Sequence, residues 1–343
     1  MTAIRLSALD QSPIRSGGTA AQALAESIEL ARHVESLGYE RYWVAEHHGS
    51  SSFAGCSPEI LIARIAAETK RIRVGSGGVM LMHYSPYKVA ENFLLLQTLY
   101  PGRLDLGVGR APGSDGITAQ ALAYGSPIGV EYFRNKLLDL RAFVRGERPE
   151  TSSFSRVRAT PRVNELPQFW LLGSSEQSAL YAAELGMCYS VAHFLNPTES
   201  HHLAAIYRDN FQPSEENPAP CVNVGVFVLC APTSEEAEDL ALTRDIWRLG
   251  LERGEPGPIP SVEEARAYAL SDGERELIQY RRQHAICGTP EQVRVRLQAL
   301  AESHGSDELV VISNCHDFAA RKRSYALLAT AFGLDARIAG SSA

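Results

Sequence analysis

The chain has 343 residues and a formal net charge of −7, with 45% hydrophobic and 21% charged residues. This composition is typical of a globular protein with a large core. Its 33 lysine and arginine residues are scattered, which argues against a nucleic-acid partner and against a membrane-binding face. The six cysteines form no C-x-x-C pair, and the N-terminus has no apolar signal segment. We therefore predict a reduced, cytoplasmic protein outside the membrane.

Short apolar strands alternate with helical patterns along the whole sequence. In the first half, strands are predicted at residues 4–9, 41–45, 72–80 and 103–108, and helices at residues 20–37, from residue 58, and at residues 87–100. In the second half, strands are predicted at residues 169–172, 188–192, 222–230 and 308–312, with helices at residues 176–185, 198–211, 234–249, 290–303 and 318–332.

Eight strands with helices between most of them are typical of a (β/α)8 TIM barrel, an α/β fold. An open, doubly wound sheet is the alternative, because strand counting separates the two poorly. We predict one domain over residues 1–343. Residues 250–287 interrupt the rhythm and are predicted to be an insertion in this domain that forms a mobile lid over the barrel mouth. Their run rich in Gly and Pro at residues 254–260 is expected to form neither ladder nor helix.

Polar residues follow the second strand as Glu46-His47-His48. In a barrel, the C-terminal ends of the strands build the active site. Because side chains alternate along a strand, at most one of these histidines is expected to be placed for chemistry. An imidazole there suits proton handling near neutral pH. A purely structural histidine and a metal site with His83 and His193 are the alternatives, although no H-x-H or H-E-x-x-H motif occurs.

Three further strand ends are unusual. Gly75, Gly77 and Gly78 stand where a strand favours β-branched residues, which predicts either a bulge or a close approach to a planar ligand through an unusual peptide bond. Arg110 follows a Gly-x-Gly that fits a dinucleotide fingerprint poorly, and it is interpreted either as a forked phosphate ligand or as a surface residue.

The third of these strand ends, Gly173-Ser174-Ser175, opens a helix. Helix N-termini attract phosphate groups, although a plain serine N-cap is equally compatible with this pattern. Taken together, the strand ends predict a ligand with one planar part and one phosphate.

These segments resemble the bacterial luciferase-like flavin monooxygenases, a TIM-barrel family. "LSALDQSP", "YWVAEHH", "RIRVGSGGVML" and "YPGRLDLGVGRAPG" are similar to the first four strands of that family. "LLGSSEQSALYAAELG" and "CGTPEQVRVRL" are similar to later segments, so the resemblance covers most of the chain. It is closest to the single-chain oxidoreductases rather than to a light-emitting subunit.

The resemblance implies roles for individual residues. His47 matches the catalytic histidine, and Gly77-Gly78 matches a cis peptide beneath the flavin ring. Arg110 matches the phosphate-binding arginine. Ser175 and Ser178 match the hydroxyl-bearing phosphate loop, with Ser174 where light-emitting members have a glutamate. Those members also place a reactive cysteine where this chain has Gly109, so light emission is not expected.

The implied activity is a monooxygenase that uses FMNH2 from a separate flavin reductase, and O2, to oxidise a small organic substrate. A homodimer without a metal is expected. The main alternative is an F420-dependent oxidoreductase of the same fold. A flavin-binding protein without turnover and a metal-dependent barrel hydrolase are the others.

Overall fold

The computed structural model describes residues 3–126, 130–149, 154 and 156–334. The strands in these ranges are numbered in chain order. They are β1 Arg5–Asp10, β2 Arg41–Val44, β3 Arg73–Ser76, β4 Val79–Met80, β5 Leu104–Gly109, β6 Gln168–Gly173, β7 Cys188–Ala192, β8 Val222–Cys230, β9 Ile286–Gly288 and β10 Glu308–Ile312.

The α-helices are numbered in the same way. They are α1 Ala20–Ser36, α2 Pro58–Glu68, α3 Pro86–Leu99, α4 Gly116–Ala123, α5 Phe133–Arg145, α6 Glu176–Glu184, α7 Ser200–Asn210, α8 Ser234–Glu252, α9 Val262–Ala267, α10 Asp272–Arg282, α11 Pro290–His304 and α12 Phe318–Phe332. Two short 3₁₀ helices lie at Leu81–His83 and Val130–Tyr132. No described helix combines the length and the apolar character that a bilayer span needs.

Eight parallel strands close into a barrel, which confirms the predicted (β/α)8 architecture. The sheet runs from β10 through β1, β2, β3, β5, β6 and β7 to β8, and β8 pairs again with β10. The closing registers are Leu309 opposite Val224 and Arg5 opposite Glu308. An open, doubly wound sheet would leave two unpaired edges, so that alternative is wrong. The short strands β4 and β9 extend the ladder beside β5 and β8.

Local sequence signals explain most of the helix ends. Thr19 begins α1 with a capping box, in which its backbone N–H donates to Gln22 Oε1 at 2.9 Å. Thr289 and Gln292 form the same arrangement before α11, over 3.0 Å. Ser57 stands at the expected N-cap of α2, but its hydroxyl makes no capping bond. There, Pro58 supplies the helix start by fixing φ at the first helical position.

A charged network fills the N-terminal end of the barrel interior. Arg41, on β2, donates to Asp105 Oδ2 at 2.9 Å and to Glu308 Oε1 at 2.8 Å. Arg73 donates to the other oxygen of Asp105 at 2.8 Å. Burial acts to lower the pKa of Arg41, but the two carboxylates outweigh it and raise the pKa above its usual value. Above this layer, the rings of Trp43 and Trp170 meet edge to face at 5.2 Å.

The segment of residues 250–287 packs at the C-terminal end of the barrel. Ile259 pairs with the loop after β1, where its N–H donates to Ile14 O at 2.8 Å. The hydroxyls of Ser51 and Ser52, in the loop after β2, donate at 2.6 Å to Pro256 O and Gly257 O. Residues 254–260 contain no strand and no helix, as expected, and Ile259 makes one isolated bridge. A lid that opens stays a prediction, which limited proteolysis with and without ligand tests.

Removing the Arg41 side chain charge is expected to destabilise the fold strongly. Arg41→Gln leaves Asp105 and Glu308 buried with one cation fewer, which costs about 3–5 kcal/mol of unfolding free energy. Arg64→Gln is the control, because Arg64 is exposed and pairs with Glu68 on the surface of α2. It is expected to cost less than about 1 kcal/mol. Urea unfolding of both variants measures the difference, and equal small losses would contradict the prediction.

Candidate functional site

Glu46, His47 and His48 lie in the loop directly after β2, at the C-terminal end of the barrel. The strand ends at Val44, one residue earlier than predicted. His47 and His48 therefore lie outside the strand, and the alternation of side chains along β2 does not set the directions of their rings. Backbone hydrogen bonds hold the loop instead, from His47 N to Gly55 O at 2.9 Å and from His48 N to Gly113 O at 3.0 Å.

Glu46 is the hub of a buried hydrogen-bond network. Its side chain is fully buried, and Oε1 lies 2.7 Å from His48 Nε2 and accepts from the Tyr84 hydroxyl at 2.6 Å. Oε2 accepts from Met80 N at 2.9 Å. Burial and the bond to Glu46 raise the pKa of Tyr84. His48 is thus tied into the scaffold. Sequence reasoning missed Tyr84, which lies 38 positions from Glu46 and belongs to no motif.

His47 is held differently. Its ring stacks on Phe53, with centroids 3.9 Å apart and an angle of 15° between the planes. Nδ1 is buried and has no hydrogen-bond partner in the described part of the chain. Burial lowers the pKa of His47 to about 4, against the opposing pull of Glu46. The ring is therefore neutral at pH 7, with a nitrogen free to donate to or accept from a ligand.

The glycine-rich strand end contains the expected cis peptide, between Gly77 and Gly78. It divides the predicted strand 72–80 into β3 and β4. A Cβ on Gly77 would lie 2.6 Å from Leu9 Cδ1, and one on Gly75 would lie 2.4 Å from Asp105 O. The backbone clash at Gly75 requires glycine there, whereas a side chain at Gly77 would need Leu9 to move. Contact of this peptide with a planar ligand stays a prediction.

Arg110 and the turn before α6 come together because β5 and β6 are neighbouring strands. Arg110 Nη2 donates to Ser175 Oγ at 3.2 Å, and Nη1 lies 3.5 Å from Gln177 Oε1. Ser175 caps α6, and Ser174 O accepts from Asn196 Nδ2 at 3.4 Å. The guanidinium thus lies beside the N–H groups that open a nine-residue helix. This combination suits a phosphate group.

Ser178 is less available than Ser175. Its side chain is buried, and its hydroxyl donates to Ser175 O at 2.6 Å while lying 3.3 Å from the Tyr189 hydroxyl. Ser178 thus shapes the turn rather than presenting a free donor. Gln177, which sequence reasoning did not single out, has an exposed side chain beside Arg110.

The histidines considered for a metal site are dispersed. The described residues contain no group of three His, Cys, Asp or Glu side chains that could hold a metal ion. His83 Nε2 lies 2.6 Å from Pro112 O, and His193 Nδ1 lies 2.8 Å from Ser200 Oγ. Each ring therefore makes a hydrogen bond inside the protein through one nitrogen, while His83 Nδ1 is buried without a partner among the described residues.

Comparison with known proteins identifies the class to which this site and fold correspond. The model of the luciferase-like monooxygenase family matches residues 4–308. The protein YwcH of Bacillus subtilis (strain 168) is 45% identical, over 96% of this chain and 99% of its own. The N-acetyl-S-alkylcysteine monooxygenase of the same organism is 38% identical, over 96% and 98%. The chain belongs to the luciferase-like monooxygenase family and is an oxidoreductase.

Solved structures show the same fold. The crystal structure of apo-MsnO8 has a TM-score of 0.88 and 40% identity, with 96% of this chain and 99% of that chain covered. Two structures below 25% identity share the fold alone. The first is the oxygenating component of 3,6-diketocamphane monooxygenase from Pseudomonas putida in complex with FMN, with a TM-score of 0.68 and 19% identity over 96% of this chain and 97% of that chain. The second is an F420-dependent secondary alcohol dehydrogenase, with a TM-score of 0.67 and 13% identity over 96% of this chain and 99% of that chain.

The neutral state of His47 predicts a pH-dependent stability. Its folded pKa of about 4 lies below the ordinary value of 6.5, so the unfolded chain binds more protons between these values. Stability is therefore lost as the pH falls through that window. Between pH 7 and pH 5, the wild type should lose about 1–2 kcal/mol more than His47→Gln.

His202→Gln, on an exposed part of α7, is the control and should follow the wild type. Urea unfolding at both pH values measures the slopes. Parallel slopes for the wild type and His47→Gln would show that the ring titrates normally in the folded protein.

Proposed function

We propose that this protein is a flavin-dependent monooxygenase that uses FMNH2 and O2 to oxidise a small organic substrate. The observation that carries the proposal is the pairing of Arg110 with Ser175 at the N-terminus of α6, over 3.2 Å. It offers a phosphate site at the same end of the barrel as the Gly77-Gly78 peptide and the unpartnered nitrogen of His47. A separate flavin reductase would deliver the reduced cofactor.

The residues present fit FMN. Arg110, Ser175 and the free N–H groups of α6 would hold the phosphate, with Ser174 and Ser178 shaping the turn. The backbone at Gly77 and Gly78 would lie under the ring. Reduced flavin, when bound, supplies the electrons that activate O2. His47 would hold or move a proton at Nδ1, while the loops after β1 and β2 and the segment 250–287 limit the access of water.

The name of the N-acetyl-S-alkylcysteine monooxygenase supports a small organic substrate oxidised by a single oxygen insertion. An F420-dependent oxidoreductase is the second candidate, since such an enzyme shares the fold. The acidic tail of that cofactor calls for additional cations near the phosphate. The described partners of Arg110 are the uncharged Ser175 and Gln177, but Arg248 and Arg281 line a cavity that adjoins the same turn. We rank FMN first because Arg110 and the start of α6 provide for a single phosphate, and not because other cations are lacking. A melting-temperature increase with FMN but not with F420 tests the choice, because a ligand of the folded state stabilises it.

Turnover separates an enzyme with this activity from a flavin-binding protein that lacks it. The assay is oxygen uptake with FMNH2, a flavin reductase and a panel of small organic substrates.

We also propose a homodimer and a cytoplasmic location. The exposed apolar side chains of Ile60 on α2 and of Leu95 and Leu99 on α3 support the dimer. Sedimentation of the purified protein, and fractionation of its source cells, test these two points.

Arg110→Ala is expected to weaken FMN binding by about 1–3 kcal/mol, the range for losing a hydrogen bond to a charged group. Ser175→Ala should weaken it less, because the backbone N–H groups of α6 remain. Ser175→Ala also removes the N-cap of α6, which costs about 1 kcal/mol of unfolding free energy. Affinity is therefore measured well below the melting temperature, where both variants are folded. Fluorescence titration with FMN gives both values. Unchanged affinity in Arg110→Ala would remove this residue from the phosphate site.

The two histidines are expected to separate activity from stability. His47→Ala should still fold and bind FMN, but should lose about 10²- to 10⁴-fold in turnover, the usual contribution of a proton-handling side chain. His48→Ala should retain more activity and lose about 1–3 kcal/mol of stability, because Glu46 loses a partner at 2.7 Å. Oxygen uptake and urea unfolding are measured on both variants. Full activity in His47→Ala would show that His47 does not handle a proton in turnover.

A further inference from the structure

A cavity of about 260 Å³ lies at the C-terminal end of the barrel, between the loop after β7 and the segment that leads into β9. It adjoins the candidate phosphate turn, since Asn196 lines it and also donates to Ser174 O at 3.4 Å. Its described lining includes His193, Phe194, Phe227, Arg248, Arg281 and His284. We call this space the arginine cavity.

The arginine cavity is lined by two guanidinium groups and two imidazoles. No Asp or Glu is among the described residues that line it. Arg248 and Arg281 come from different helices, α8 and α10, so the fold brings the two charges together. Both arise from the second half of the chain, and Arg281 lies within the candidate lid segment.

Arg248 and Arg281 share one nearby carboxylate, so some of their N–H donors have no acceptor among the described residues. Arg248 Nη2 lies 3.8 Å from Glu252 Oε1, and Arg281 contacts the other oxygen of the same carboxylate. One carboxylate thus serves two guanidinium groups. Arg281 Nη1 is buried and has no hydrogen-bond partner in the described structure.

Behind the cavity, Arg244 adds a third guanidinium. Its side chain is almost fully buried, and it donates to Asp245 Oδ1 at 2.8 Å, while its Nη1 has no partner among the described residues. The other oxygen of Asp245 accepts a hydrogen bond from Arg282 Nε. Burial, and after it the neighbouring charges of Arg244 and Arg281, lower the pKa of Arg248 to about 10, against the opposing charge of Asp245.

The apolar part of the lining is aromatic. The guanidinium carbons of Arg248 and Arg244 lie 5.3 and 5.7 Å from the ring centre of Phe227, and Phe194 meets this ring edge to face at 5.4 Å. The stacking on Phe227 orients the planar forks, which match a carboxylate in shape and charge. A site with fixed cations beside aromatic rings suits a molecule with an anionic end and an apolar body.

We propose that the arginine cavity binds the carboxylate of the organic substrate through Arg248 and Arg281, and so selects carboxylate-bearing substrates. This inference rests on the proposed monooxygenase function. Arg110 and the turn before α6 already provide for the cofactor phosphate, so the cavity has donors left for a second anion.

Matched pairs of acid and amide test the proposal by binding alone. Isothermal titration with benzoate, phenylacetate and 3-phenylpropanoate is compared with titration of the corresponding amides, with and without FMN. At least one acid should bind about tenfold or more tightly than its amide, as expected when a charge-assisted hydrogen bond is gained. If no acid is preferred over its amide, the proposal is overturned.

Variants locate the site. Arg248→Gln and Arg281→Gln should each reduce the preference for the acid about tenfold, while FMN affinity stays near that of the wild type. Arg275→Gln is the control, since Arg275 is exposed on the same helix as Arg281 and does not line the cavity. An unchanged preference in both cavity variants overturns the proposal. So does a loss of FMN affinity as large as in Arg110→Ala, because the cavity would then belong to the cofactor.

The two proposals can fail separately. Failure of the wild type to bind FMN would overturn the proposed function. An arginine-dependent preference for acids in the same protein without FMN would still support the anion site. Conversely, normal FMN binding with no preference for acids would overturn only the arginine cavity.

Discussion

The buried bridge from Arg41 to Asp105 and Glu308 ties together three strands that are far apart in the sequence. It joins β2 to β5 and β10 across the inside of the barrel, with distances of 2.9 and 2.8 Å. A shift of one residue in the register of β2 would turn Arg41 away from the interior and leave both carboxylates without this partner. The bridge therefore favours one register of a closed sheet. That register places all the strand ends around one mouth.

The two ends of the barrel use polar groups differently. At the N-terminal end, Arg41 pairs with Asp105 and with Glu308 Oε1, and Arg5 lies 3.4 Å from Glu308 Oε2, so this end contributes structure. At the C-terminal end, several polar atoms have no partner among the described residues, including His47 Nδ1 and Arg281 Nη1. Buried polar groups are normally paired, so the unpaired atoms near the mouth are candidate ligand contacts. In the described ranges, atoms without a hydrogen-bond partner also occur away from the mouth, at Gln97, Asn223 and Glu308, so a missing partner alone does not locate the site. The carboxylate of Glu46, at the C-terminal end, is fully paired, because His48, Met80 N and the Tyr84 hydroxyl all donate to it.

Much of the framework could be predicted from residue patterns. The bounds of β7, β8 and β10 are those predicted, because each is a short apolar run between clear breaks. The division of residues 72–80 into β3 and β4 was not predicted, since periodicity indicated one strand. The glycines allowed an unusual peptide bond as one of two alternatives, and only the family resemblance specified a cis peptide at Gly77-Gly78. The partners of Glu46 could not be predicted. Tyr84 belongs to no motif, and its approach depends on how two loops pack over neighbouring strands.

The sequence by itself determined the order of the elements, the family, and the strand ends where polar residues collect. These follow from local periodicity and from Gly and Pro at the breaks, which act over a few residues. Only the tertiary structure decided that His48 is bound to Glu46 while His47 keeps a free nitrogen, and that Arg248 and Arg281 face one cavity. Glu46 and His48 are only two positions apart, but Tyr84 and Met80, which hold the same carboxylate, lie 38 and 34 positions from Glu46. Arg248 and Arg281 belong to different helices. These arrangements exist only once the barrel has closed and the segment 250–287 has packed against the loops after β1 and β2.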